Sequence, residues 1–279
     1  MDRQREEMRA RWDRGAQGWR RRADSVMAFG LPVSARMVED LAPQPGQTVL
    51  ELAAGPGDTG FMISEQLRPS GRLISSDASE AMLEVARDRA AQQGIANVEF
   101  KRLELEWIDL PTASVDAVVC RWGLMFVSDP AASLQEMRRV LRPGGRAALA
   151  VWGAPEVNPW ATATTRALVE LGHAEPPDPT APGMFALGDG ARLRELLESA
   201  GFVEAHVELV DVARISSGVE DYLAESADLN PLFLEARERI SPEQWRELQA
   251  RVAELLAPFE TEGGGLRIPG RSLVAIATA

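Results

Sequence analysis

Cysteine, lysine and histidine are almost missing from this chain of 279 residues. Cys120 is its only cysteine, so neither an intrachain disulfide nor a cysteine metal cluster can form. It falls in the apolar run Val115–Cys120 and reads as a buried strand residue rather than a nucleophile. Lys101 is the only lysine, so positive charge is supplied almost wholly by arginine, a habit of composition that carries no function. Basic charge is also scarce in sum: 30 Lys and Arg stand against 42 Asp and Glu, a net charge of −12. A nucleic-acid substrate is therefore not expected, because phosphate binding needs a basic surface. No stretch reaches the roughly 18 apolar residues of a membrane span. The N-terminus is charged and lacks a hydrophobic signal region, so a reducing cytoplasm is the expected location.

What is present is ordinary for a soluble globular protein, with 45% hydrophobic and 26% charged residues. The length suffices to bury a substantial core, as one large α/β domain or one domain with an inserted cap. Locally the first 22 residues depart from the acidic whole, with eight Arg against four acidic residues. They read as an amphipathic, arginine-rich helix lying on an acidic body.

From about residue 48 to 152 strand-like and helix-like segments alternate, which indicates parallel βαβ units. Thr48–Leu52 is the first strand, and the helix after it carries Phe61, Met62, Ile63 and Leu67. Arg72–Ser76 is the second strand and closes on Asp77; Ser79 then offers a helix N-cap. Asn97–Leu103 and Val115–Cys120 are the third and fourth strands. Leu134, Met137 and Leu141 mark one face of the next helix, which Pro143-Gly144-Gly145 is expected to stop. Ala147–Trp152 is apolar throughout and reads as a central fifth strand. Between 154 and 188 six prolines interrupt the pattern around one helical stretch, Trp160–Leu171, and this part reads as a substrate-facing excursion. Leu193–Ala200 is a helix ended by Gly201, Phe202–Ile215 a sixth strand, 218–258 helical, and Ser272–Ala277 a closing strand. Within 218–258, Ser241-Pro-Glu-Gln244 has the form of a capping box with Pro at the first helical position. Three parts follow: a helical cap segment 1–45, an α/β core 46–153, and a C-terminal part 154–279 that contains the excursion and the helical insertion.

The most informative residues are Glu51-Leu-Ala-Ala-Gly-Pro-Gly-Asp-Thr59, at the end of the first strand. The chain turns there through Ala53, Gly55 and Gly57 and enters a helix. Small residues let the backbone approach a ligand, and the helix N-terminus adds free N–H groups and partial positive charge. Glu51 suits a ligand with an amino group or positive charge and would repel a pyrophosphate. Gly55-Pro-Gly57-Asp-Thr-Gly60 also satisfies the dinucleotide fingerprint G-x-G-x-x-G, with Asp77 at roughly the spacing that fingerprint expects. In that fingerprint the first Gly directly follows the strand, whereas Ala53 and Ala54 intervene here.

The segment resembles motif I of the class I S-adenosylmethionine-dependent methyltransferases, acidic-x-Gly-x-Gly-x-Gly, with Ala53 in place of the first Gly. Asp77 after the second strand and Arg139-Val-Leu-Arg-Pro-Gly-Gly145 before the fifth extend the likeness, as does a hairpin-like last pair of strands. It is nearest to the ubiquinone/menaquinone-type or "type 11" small-molecule branch, covers about residues 10–155, and beyond them rests on element order. The resemblance implies a doubly wound, mostly parallel seven-stranded α/β sheet (a Rossmann-like methyltransferase fold) with helical cap insertions, and S-adenosylmethionine as cofactor. It further implies that Asp77 accepts both ribose hydroxyls, that Ala78 and Met82 flank the adenine, and that Glu51 takes the ligand's amino group. By position Glu104 would meet the adenine amino group and the Leu105 N–H a ring nitrogen. Glu replaces the family's Asp there and two extra residues precede Leu110-Pro111, so Glu104 and Glu106 stand as alternatives. Trp107 lines the adenine pocket or belongs to the core. Arg121 contacts the methionine moiety or forms a surface salt bridge. Trp122, Met125 and Phe126 are candidates for the wall between cofactor and methyl acceptor.

No catalytic base is assignable. His206 lies within the sixth strand and is expected to be packed, which leaves His173, in the excursion, as the one weak candidate. The leading expectation is a methyltransferase acting on a small, partly apolar molecule, quinone-like or another aromatic or secondary metabolite. Trp12 and Trp19 of the N-terminal helix, with the excursion, would cover its site. An NAD(P)-dependent oxidoreductase of similar topology and a non-catalytic binding module are the alternatives.

Overall fold

The computed structural model describes residues 2–178 and 181–279, with side chains from residue 5 onward. Pro179 of the proline-rich excursion lies outside the described residues. Seven strands form one sheet in the order β3-β2-β1-β4-β5-β7-β6. β1 (Thr48–Leu52), β2 (Arg72–Asp77), β3 (Val98–Arg102), β4 (Val115–Arg121) and β5 (Leu141–Trp152) run parallel. β7 (Leu266–Thr278) inserts antiparallel between β5 and β6 (Val203–Ser216). The dinucleotide fold has the order 3-2-1-4-5-6; the antiparallel seventh strand departs from it.

β1 and β4 lie side by side at the middle of the sheet, and both are buried over nearly their whole length because helices cover both faces. From β1 the chain crosses over to β2 on one side, and after β3 it returns to β4 on the other. The carboxyl ends of β1 and β4 therefore splay apart in connectivity and leave a crevice, the place where ligands of open α/β sheets bind. α3 (Asp58–Gln66), α4 (Glu80–Gln93), α5 (Pro130–Val140) and α7 (Gly190–Ser199) are the sheet's crossover and flanking helices. α2 (Ala23–Leu41) buries Val33, Met37, Val38 and Leu41 against the main core. α1 (Asp2–Arg21) packs on α4 and on α8 (Val219–Leu229), with Trp12 and Trp19 against Met82 and Val85.

Several expectations change. Leu141 is not on a helix face: α5 stops at Val140, and Leu141 pairs with Val115 as the first residue of β5. The Pro143-Gly144-Gly145 turn lies inside that strand, where the register jumps from Val115↔Leu141 to Ala117↔Arg146. It makes a bulge, with Gly144 at φ +75°, rather than ending the helix. The closing strand starts earlier than 272 because β6 extends past β5 and pairs with the segment from Leu266. His206 is not packed; β6 is the edge strand and leaves its side chain 61% exposed. The excursion's helix, α6 (Pro159–Glu170), packs on the helical insertion instead of on the site. With α8, α9 (Pro231–Arg239) and α10 (Pro242–Leu256) it encloses a second core around Tyr222, Phe233, Leu248 and Val252. The capping box of α10 is present, Ser241 Oγ accepting from the Gln244 N–H and Gln244 from the Ser241 N–H.

Candidate active site

A cavity of about 410 Å³ opens at the carboxyl ends of β1, β2 and β4, roofed by α1, within the roughly 300–1,000 Å³ of small-molecule sites. Its floor is the turn between β1 and α3. Ala53 and Gly55 adopt left-handed φ of +50° and +52°. Ala53 can carry its methyl there because Gly123 opposite has none; a Cβ on Gly123 would fall 2.4 Å from that of Ala53. A Cβ on Gly55 would meet no atom within 4 Å, so this residue borders open space in the cavity. Gly57 does not line the cavity. It holds φ +88° at the N-cap of α3, and a Cβ would strike the Phe61 ring at 2.4 Å. Its glycine shapes the turn instead of meeting a ligand.

Asp77 closes β2 and is tied into the same turn. Its Oδ2 accepts from the Gly55 N–H and its Oδ1 from the Ser79 N–H, both at 2.9 Å. Each oxygen keeps a further lone pair for a donor in the cavity. Desolvation pushes the carboxyl up to about 6 although both N–H groups favour the charged form; Glu104 and Asp13 push the same way. Ala78 and Met82 line the adjoining wall. Ser79 caps α4 through the Met82 N–H and donates to Asp13 of α1.

Glu51 borders the cavity but is only 3% exposed, and both its oxygens are engaged by the scaffold. Oε1 accepts from the Gly60 N–H at 2.7 Å and Oε2 from Ser75 Oγ at 2.8 Å. Burial raises its carboxyl to about 7. Arg121 is no surface salt bridge: its side chain is 8% exposed and donates to Asp58 at 3.1 Å. Arg89 holds the other oxygen of Asp58 at 2.6 Å. The Arg121 guanidinium lies 4.5 Å from the Trp122 ring centroid, and burial lowers its pKa.

Leu105 and both alternatives beside it, Glu104 and Glu106, line the cavity. They differ in freedom. Glu106 is fixed by Arg5 Nε at 2.7 Å and by the Asp129 N–H at 2.9 Å, whereas Glu104 is 37% exposed in its side chain and meets Arg9 at 3.6 Å. Trp107 belongs to neither pocket nor core; it points outward from the tight Glu104–Trp107 bridge and is 72% exposed. Of the expected wall, Trp122 and Phe126 line the cavity, while Met125 is buried in the core.

α1 supplies the lining that sequence reasoning reached only through Trp12 and Trp19: Arg5, Met8, Arg9 and Arg11 also face the cavity. Their spacing of three and four residues was the available signal. From the excursion Ala181 and Pro182 contribute. His173 does not line the cavity; it follows α6, its N–H bonded to Leu168 O at 2.8 Å. Cys120 is fully buried, and burial pushes its thiol up to about 12, so it serves as packing.

A sequence model of the ubiE/COQ5 methyltransferase family matches residues 23–165. The ubiquinone/menaquinone biosynthesis C-methyltransferase UbiE of Escherichia fergusonii is 30% identical over 208 residues, 70% of this chain and 81% of that protein. The YcgJ protein of Bacillus subtilis has a similar structure, with a TM-score of 0.57 at 18% identity, covering 88% of this chain and 97% of YcgJ. Phosphoethanolamine N-methyltransferase 2 of Haemonchus contortus, in complex with S-adenosyl-L-methionine, gives 0.54 at 15% identity, over 90% of this chain and 56% of that one. At such identities the structural likeness concerns the fold, and the family rests on the sequence match. The glycine turn, the order of the sheet and that match converge: the chain belongs to the ubiE/COQ5 methyltransferase family and is an S-adenosylmethionine-dependent methyltransferase.

Proposed function

We propose that the chain methylates a small, partly apolar molecule, quinone-like or another aromatic metabolite, in the cavity beneath α1. The observation that carries this reading is the composition of that cavity. A polar floor of left-handed turn and Asp77 faces an apolar side of Met8, Trp12, Trp122, Phe126 and Pro182. The name of the UbiE relatives, a quinone-pathway C-methyltransferase, points the same way.

The residues fit the cofactor. The open space at Gly55 gives its methionine portion a backbone to lie against, and the free lone pairs of Asp77 suit the two ribose hydroxyls. Ala78 and Met82 flank the adenine. Glu104, the freer of the two acidic neighbours, takes the adenine amino group, with the Leu105 N–H beside it. Glu51 acts mainly by holding the start of α3 through the Gly60 N–H, and touches the ligand's amino group through water. Arg121 fixes Asp58 and, through it, the first turn of α3.

When bound, S-adenosylmethionine supplies a methyl group on a positive sulfonium, and the group passes in line to the acceptor. The chain's contribution is alignment and exclusion of water, and proximity of this kind supplies roughly 7–11 kcal/mol. The described lining contains no His, Lys, Cys or Tyr. The acceptor thus presents an already nucleophilic atom, or is deprotonated through water or by one of the lining's carboxylates. The test is transfer of labelled methyl from S-adenosylmethionine to a panel of reduced naphthoquinols and benzoquinols, set beside aliphatic alcohols of equal size. Labelled aromatic product is expected; transfer only to the aliphatic set would overturn the reading.

A further inference from the structure

Among the described residues, the arginines of α1 are matched to carboxylates almost one for one. Arg5 meets Glu106, Arg9 meets Glu104, Arg14 meets Glu235, Arg20 meets Asp88, and Arg21 meets Asp228. Arg11 alone has no ion pair and no side-chain hydrogen bond within the described residues, yet it lines the cavity. It sits one turn beyond Met8 and next to Trp12, whose ring meets Phe126 edge-on at 5.2 Å between centroids. Each carboxylate of the lining is held by a partner other than Arg11: Glu51 by Gly60 and Ser75, Asp77 by Gly55 and Ser79, Glu104 by Arg9 and Glu106 by Arg5, and Glu7, one turn before Arg11, has its own partner as well. A half-buried cation beside an apolar wall and without an ion-pair partner is a recognition element for an anion.

We infer that Arg11 selects an acceptor that carries an acid group ionised at neutral pH on a flat apolar body. The body lies against Trp12 and Phe126 and the acid group takes the fork of Arg11. This names the substrate class of the same site and rests on the apolar-acceptor reading above. The guanidinium is suited to a carboxylate because its donors form a planar pair, which a neutral amide or ester cannot exploit through charge.

The experiment compares 2-naphthoate with 2-naphthamide by calorimetry on the full chain saturated with S-adenosylhomocysteine, saturation being checked for each variant. Naphthoate is expected to bind at least about tenfold more tightly, the effect of one charge-assisted pair. In Arg11→Gln the preference should collapse to about twofold or less, while Arg11→Lys should keep part of it. Equal affinities in the wild-type protein, or a preference that survives in Arg11→Gln, overturn the proposal. If neither probe binds the saturated protein, the apolar-acceptor reading fails instead, and this inference with it.

Discussion

The floor and the roof of the cavity are built by different physics. The floor consists of backbone held in place by hydrogen bonds: the buried ones of the Gly60 N–H and Ser75 to Glu51, and the half-buried one of the Gly55 N–H to Asp77. The Glu51 groups are shielded from solvent, so each of those bonds counts fully and its loss leaves a buried partner unsatisfied. The roof, α1, is held by arginine pairs whose members are mostly a third or more exposed, such as Arg14–Glu235 and Arg20–Asp88, and by the packing of Trp12 and Trp19. Exposed pairs contribute about 0.2–1 kcal/mol each and weaken with salt. On the reading proposed above, cofactor recognition would fall to a rigid element and access to the site to one that opens at little cost.

The sharpest way to break this contrast is to disturb the floor. Gly55→Val places a branched side chain at φ +52° and into the open space of the cavity. S-adenosylhomocysteine binding should fall below detection by calorimetry while the circular dichroism spectrum stays near normal. Retained binding would place the cofactor elsewhere.

A smaller effect is expected at Asp77. Asp77→Asn keeps the size but loses the charge and one of the two acceptors that hold the Gly55 and Ser79 N–H groups, so cofactor affinity should drop at least about tenfold. The wild-type protein should show a matching pH dependence. On the proposed reading the ribose hydroxyls would donate to the ionised carboxylate, so below about pH 6 protonation would compete with binding. Affinity should then fall toward a limit of about tenfold per pH unit. Glu51 titrates nearby, at about 7, and the comparison with Asp77→Asn separates the two. A pH profile identical in both proteins would remove Asp77 from ribose recognition.

The smallest effect belongs to the roof. Arg5→Ala combined with Arg9→Ala removes the pairs to Glu106 and Glu104. Stopped-flow release of S-adenosylhomocysteine should quicken by about three- to tenfold, and rising salt should produce the same change in the wild-type protein only. If release is unaffected by both, α1 does not gate the site.

How much of this was legible in the sequence follows the same division. The turn 53–57, Asp77 and the Ser79 cap could be read because local sequence dictates them: small residues after a buried strand, an acid at a strand end, a capping serine before a helix. Leu141 was misread because its apolar side chain fits a helix face and a strand equally, and only pairing with Val115 decides between them. His206 was misread for a related reason. An alternating strand shows its period in sequence, but not whether it will be an edge. Gly57 looked like a ligand contact because both uses of glycine, space for a ligand and space for Phe61, leave the same residue behind.

The sequence by itself determined the α/β alternation and the glycine turn with its two acids, since these depend on neighbours along the chain. Tertiary structure alone decided that β7 runs antiparallel between β5 and β6, and that the excursion packs on the helical insertion. It also decided that Arg11 is, among the described side chains of α1, the arginine without a carboxylate. Each of these depends on which distant residue arrives opposite, and long-range pairing is set by the summed burial of the whole sheet, not by any local pattern.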